Sequence, residues 1–304
     1  MRVFVTGASG HIGSAVVPEL VAAGHDVVGL ARSDAAATLV TALGATARRG
    51  DIDDLDGLAT AAADADGVIH LAFKHDLMRT GNMADAVAAD LAAVNAIGEA
   101  LAGTGKPFVG TSGTLLLAYL GRMASEEDAG APGGRGDTEN AVVSFAERGV
   151  RSSVVRISPI THSTLDRHGF ARTLIAIAKQ AGVAGYAADG SNRWPAVHTL
   201  DLAHLYRLAL EDAPAGSRWH GVGDEGIPMR ELAQSIGDHL GVPAASIPAD
   251  RLDAHFGFLA MLIALDNPTS NQITRQALGW EPTHPGLIAD FDEADYFATT
   301  SVAG

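Results

Sequence analysis

The chain has 304 residues, 47% of them apolar and 19% charged, the balance of a protein that buries a substantial core. Its 21 Lys and Arg stand against 36 Asp and Glu, a formal net charge of −15 that argues against sequence-independent binding to nucleic acid. Cysteine is absent, which excludes disulfides, thiolate nucleophiles and thiolate metal sites.

Strand and helix patterns alternate through the first half. Arg2–Thr6 (RVFVT) is a short β-rich run, Gly7–Gly13 a glycine-rich turn, and Ile12–Ala23 carries apolar residues at helical spacing up to a stop at Gly24. Pro18 is a local conflict, since it removes one backbone donor inside that helix. Asp26–Ala31 reads as strand two, Asp34–Leu43 as a helix, Ala45–Arg49 as a weaker third strand and Asp53–Ala63 as a helix. Gly67–Leu71 is strand four, Met83–Ala102 a long Ala-rich helix and Pro107–Thr111 strand five. After the loop Gly130–Gly136 (GAPGGRG), Glu139–Arg148 is helical and Arg151–Ile157 is strand six. Short apolar runs separated by helices indicate parallel strands covered on both faces. The expected fold class is therefore α/β, a doubly wound parallel sheet of Rossmann type.

Beyond Pro159 the rhythm breaks. Helical stretches at Phe170–Gln180, Leu200–Glu211, Arg230–Leu240 and Gly286–Phe297 mix with short strands and Pro/Gly turns. No long linker or repeat separates the halves. A nucleotide-binding domain is expected over residues 1–158, with 194–215 packing back onto it. A smaller substrate-binding region over 159–304 would close a cleft.

Thr6–Gly13 reads TGASGHIG. Gly is common here, at 35 of 304, so three glycines alone are weak evidence. Context makes them specific, because a strand precedes the turn and an amphipathic helix follows. Gly7 permits the tight turn, Gly10 lets a pyrophosphate approach the backbone, and Gly13 lets helix and strand pack closely. With Ser9, His11 and Ile12 between the glycines, the turn offers free amides at a helix N-terminus to phosphates. At the end of strand two, Leu30-Ala31-Arg32-Ser33 has no carboxylate for a ribose 2′-hydroxyl, whereas Arg32 suits a 2′-phosphate and Ser33 adds a hydroxyl. NADP(H) is the expected cofactor and NAD(H) the alternative.

These residues resemble the short-chain dehydrogenase/reductase superfamily, in its extended or atypical branch related to sugar-nucleotide epimerases and dehydratases. TGASGHIG is similar to the branch's TGxxGxxG. Asp51-Ile52 resembles the pair after strand three that touches adenine, and Leu71-Ala72-Phe73 the segment lying along the cofactor. Asn95 resembles a helix-four asparagine, and Thr111-Ser112-Gly113-Thr114 falls at the active-site hydroxyl. Arg156–Ile160, including Pro159 and Ile160, resembles the strand-six segment against the nicotinamide. Arg193–His198 with Asp201–Ala203, and Leu278–Pro282, are similar to two later motifs. One departure stands out. The branch's Tyr-x-x-x-Lys pair falls on Ala131 and Arg135, with Glu139 at the glutamate that follows the Lys. In the family the phenol donates the proton and the lysine holds the ribose. Arg135 suits ribose or phosphate, but Ala131 cannot donate a proton.

Ser112 and Thr114 are the candidate carbonyl-polarising groups, and an ungapped alignment falls between them on Gly113. Tyr119, in the loop after strand five, is the first alternative proton donor. His162, His168, Phe170 and Trp194 are candidates for the substrate side. Twelve histidines include no HExxH, and no metal site is expected; GxSxG is absent too. The expectation is an NADPH-dependent oxidoreductase for a small carbonyl or imine-like substrate. A non-catalytic NADP(H)-binding sensor and an NAD-recycling epimerase or dehydratase are the alternatives. No stretch approaches the roughly 18 to 20 apolar residues of a bilayer span, and no secretory leader is visible. A cytoplasmic protein with no nucleic-acid or membrane partner is expected, and the resemblance implies a homodimer through the fourth and fifth helices.

Overall fold

The structure is a computed structural model that describes residues 1–293 and 295–297. Its first half runs β1 (Arg2–Thr6), α1 (Gly13–Ala22), β2 (Asp26–Ala31), α2 (Asp34–Ala42), β3 (Thr46–Arg49), α3 (Leu55–Ala63) and β4 (Gly67–His70). Then come α4 (His75–Arg79), α5 (Met83–Leu101), β5 (Pro107–Gly113), α6 (Arg135–Ser144) and β6 (Arg151–Ile157). Next are β7 (Ile160–His162), α7 (Phe170–Ala181), β8 (Ala184–Ala187), β9 (Arg193–His198), α8 (Thr199–Asp212) and β10 (Ser217–Gly221). The chain closes with β11 (Asp224–Pro228), α9 (Met229–Leu240), β12 (Ala244–Ile247), α10 (Leu252–Phe256), α11 (Gln272–Leu278) and α12 (Leu287–Glu293).

Seven strands form one sheet in the order β10-β6-β5-β4-β1-β2-β3, and every neighbouring pair is parallel. The order reverses between β1 and β4, and such a switch point opens a crevice at the carboxyl ends of the strands. The fold is the expected α/β Rossmann type. Two buried clusters flank the sheet. One joins Val3, Val5, Val16 and Leu20 to Leu202, Leu205 and Tyr206, so α1 and α8 share a face. The other joins Phe4, Leu58, Val68, Val94, Ile97 and Phe108 beneath α3 and α5. A separate cluster, with Trp194, Ile175, Leu232 and Phe291, holds the later elements around the sheet β11-β9-β7.

Differences from the sequence reading have local causes. β5 runs two residues further, to Gly113, because Ser112 and Gly113 keep register with Arg156 and Ile157. The helix expected from Glu139 begins at Arg135, after Gly133 and Gly134 take φ of +100° and +57°. Pro18 lies inside α1, and the helix continues through it. Among the described residues no helix is long and apolar enough to cross a membrane.

Candidate dinucleotide site

The glycine turn sits where the sheet order reverses. Gly7 has φ +68°, and a Cβ there would lie 2.8 Å from the Ala72 amide nitrogen. A Cβ on Gly13 would lie 2.2 Å from the Gly7 carbonyl oxygen, so only glycine lets α1 start this close to β1. At Gly10 a Cβ would approach only the Gly7 oxygen, at 3.2 Å, which leaves its outer side open. α1 has no side-chain cap, and the amides of His11, Ile12 and Gly13 have no acceptor among the described residues. An uncapped N-terminus with an open glycine beside it fits a diphosphate.

Behind the turn runs a buried polar chain. The Thr6 hydroxyl accepts from the amides of Leu71 and Ala72, each at 3.2 Å. Its proton therefore goes to His70 Nδ1, 2.8 Å away, which leaves the imidazole proton on Nε2 to bond Asp90 Oδ1 at 3.2 Å. Asp90 Oδ2 lies 4.0 Å from Arg135. Arg135 donates to the Thr111 carbonyl at 3.0 Å and lies over the Phe73 ring, 4.2 Å from its centroid. Thr6, Phe73, Thr111 and Arg135 thus gather at the carboxyl ends of β1, β4 and β5. Sequence reading missed Thr6, His70 and Asp90 as a unit. It singled out Asn95 instead, which stands exposed on α5.

At the β2 end, Arg32 is exposed and 3.5 Å from Asp76, itself exposed, a pair weak enough to exchange for another anion. Ser33 accepts from the Ala36 amide and so caps α2. Asp51 is half-buried and accepts from the Asp53 amide, while Ile52 is buried in the α3/α5 core. Leu71, Ala72 and Phe73 are half-buried beside the turn, as is Ser9 within it.

The three candidate catalytic hydroxyls do not converge. Tyr119 is 61% exposed and donates to the Ala129 carbonyl at 3.1 Å. Thr114 is fully buried and donates to Asn267 Oδ1 at 2.9 Å, a bond that ties β5 to the later elements. Ser112 is buried beside Glu139. Burial works to raise the pKa of Glu139, but the bonds and charge of Arg156, with the nearby Ser112 hydroxyl and a bond from Arg218, outweigh it and hold the carboxyl below its usual value.

The candidate substrate residues separate as well. Pro159 is half-buried, whereas Ile160 has its side chain in the second core. His162 is buried, with Nδ1 2.8 Å from Asp290. Trp194 is a core residue rather than a pocket wall, its indole donating to the Leu265 carbonyl at 3.1 Å. Phe170 is half-buried against Trp194, and His168 is exposed. His198, Asp201 and His284 bring side-chain N and O atoms within 4.8 Å of one another, which no sequence spacing signalled. Several of their atoms already hold the start of α8 and tie it to the Thr283–His284 loop. His198 Nδ1 accepts from Leu200, and Asp201 accepts from Thr283 and from the His284 amide and ring.

A parallel sheet with a glycine turn at its switch point places the protein among Rossmann-fold members of the short-chain dehydrogenase/reductase superfamily. Residues 3–128 match the NAD dependent epimerase/dehydratase family, and the chain belongs to that family. An uncharacterized protein of Schizosaccharomyces pombe is 44% identical over 98% of this chain and 100% of its own length. The 2'-dehydrokanamycin reductase of Streptomyces kanamyceticus is 28% identical over 82% of this chain and 70% of its own. Among solved structures, a dTDP-glucose 4,6-dehydratase from Streptomyces venezuelae with NAD bound superposes with TM-score 0.75, at 19% identity over 96% of each chain.

Proposed function

We propose that the protein is an NADPH-dependent oxidoreductase that reduces a small carbonyl or imine-like substrate. The observation that carries this reading is the glycine turn with its three unpartnered amides at the switch point. Arg32 in place of a carboxylate at the β2 end supports NADPH over NADH. The reductase among the relatives supports the reaction class.

In this reading the turn holds the diphosphate and Arg32 the 2′-phosphate. Arg135 and Phe73 form the wall at the β4 and β5 ends. The bound cofactor supplies a hydride. With Tyr119 turned to Ala129, and Ser112 and Thr114 buried, the proton comes from solvent. Residues 159–304 supply the substrate side. The test is NADPH oxidation, followed at 340 nm (roughly, the reduced nicotinamide band), against a panel of ketones, aldehydes, imines and quinones. Turnover of one class is expected; binding of NADPH with no turnover of any class would contradict it.

A second reading, a non-catalytic NADP(H)-binding sensor, is favoured by Ala131 at the family's tyrosine position. It expects unequal affinity for NADPH and NADP without turnover.

A further inference from the structure

We propose that His11 takes up a proton when a diphosphate binds the glycine turn, closing an ion pair with Asp166. The proposal rests on the reading of the turn as a dinucleotide site.

His11 lies inside the turn, and its own amide is one of the free donors. Its ring reaches the first residue of α8, with Nε2 2.8 Å from Thr199 Oγ1. The Thr199 hydroxyl gives its single proton to the His162 carbonyl at 3.0 Å and accepts from Ser163 Oγ at 2.9 Å. Nε2 of His11 must therefore carry the N–H. Nδ1 is left as a bare lone pair, and it faces Asp166 Oδ1 at 3.9 Å.

Asp166 is fully buried. Its Oδ1 accepts from the amides of His168 and Gly169, at 3.1 and 2.6 Å, while Oδ2 has no partner among the described residues. A buried carboxylate with an open oxygen, placed beside an anion site, repels the incoming diphosphate. A proton on His11 Nδ1 turns a lone pair facing a carboxylate into a cation facing it, and cancels that repulsion.

The surrounding charges do not supply this compensation. Arg172 on α7 donates to the Asp166 carbonyl, not to its carboxylate, and its outer nitrogens reach Asp295 and the Tyr296 carbonyl. Tyr296 bonds the backbone of Ser163. His162, on β7, is held by Asp290 of α12. Without a ligand, burial keeps the His11 pKa below its usual value, Asp166 opposes that, and His162 adds to it. His11 is therefore largely neutral at pH 7, and an arriving anion tips it toward the charged form. The proton comes from solvent, no covalent bond changes, and linkage requires that acid tighten binding in return.

Isothermal titration with NADPH, in buffers of different ionisation enthalpy at pH 7, reads protons taken up per dinucleotide. The 2′-phosphate titrates near 6 and contributes its own share, so the quantity of interest is wild type minus His11→Gln, whose amide keeps a donor for Thr199. The expected difference is roughly half a proton. From pH 8 to 6 the wild type should tighten about tenfold more than the variant. Asp166→Asn should bind NADPH about threefold tighter than wild type at pH 8, the reverse of what loss of a merely structural residue would do. Equal proton uptake in wild type and His11→Gln, or weaker binding by Asp166→Asn at pH 8, overturns the proposal. If the folded wild type gives no heat with NADPH, the reading of the turn as a dinucleotide site falls, and the proton linkage falls with it.

Discussion

The guanidinium of Arg135 lies over the ring of Phe73, 4.2 Å from its centroid, while one nitrogen donates to the Thr111 carbonyl. This contact places a cation at the carboxyl ends of β4 and β5, at the position that the sequence resemblance pairs with the family's lysine. A cation stacked on a ring and bonded to backbone is worth about 1–2 kcal/mol to an anionic or hydroxylated ligand, or roughly tenfold in affinity. Arg135→Ala should weaken NADPH by that factor in a fluorescence titration. Arg135→Lys should restore part of it, since the charge returns without the guanidinium's fork of donors.

Arg32 and Asp76 are 72% and 74% exposed, so their pairing holds Arg32 only weakly. If Arg32 serves the 2′-phosphate, Arg32→Ala should lower NADPH affinity about tenfold and leave NADH affinity unchanged. Equal losses for both coenzymes would remove Arg32 from cofactor choice.

Arg156 and Glu139 form a fully buried bidentate pair between β6 and α6, at 3.0 and 2.5 Å. Removing one partner strands the other charge in the core. Arg156→Met should lower the unfolding free energy in urea by about 3–5 kcal/mol. A loss under about 1 kcal/mol would mean that Arg218, also on Glu139, compensates alone.

Most of the sheet was legible because strands such as β1, β2 and β4 are compact apolar runs, whereas the edge strands β3 (TARR) and β10 (SRWHG) are not, and β10 was not read from the sequence. β1 and β6 have the limits read from sequence, and the turn's glycines are where backbone contacts demand them. The site's polar groups were less legible because they meet across the chain. His11 and Thr199 are 188 residues apart, and the Thr6–His70–Asp90 chain spans three elements, so no spacing signals either. Tyr119 illustrates the opposite error. Its position after β5 suggested chemistry, but the direction of its hydroxyl depends on where Ala129 returns. Short elements such as α4, α10 and α11 complete too few turns to show a period.

His198 and His220 give the fold an acid sensitivity. Burial, with His162 and His284 adding to it, lowers His198 to about 4. Burial also lowers His220 to about 4, partly offset by Glu126 and by its bond to the Ser270 carbonyl. Both are neutral in the folded state and take protons more readily when unfolded. Their contribution is fully present above about pH 6.5 and is lost as pH falls toward 4. Thermal melts from pH 7 to 4.5 should show a falling midpoint. His220→Gln should make that fall shallower, and an equal slope in the variant would exclude His220 as a source.

The most direct test of the account is a fluorescence titration of the protein with NADPH, beside Gly10→Val. Position 10 is exposed, and a Cβ there meets only the Gly7 oxygen, so the variant should melt near the wild type while its side chain fills the diphosphate's place. Saturable binding by the wild type, weakened at least about tenfold by Gly10→Val, is the predicted result. No saturable signal in the wild type, or equal binding by both, would contradict it.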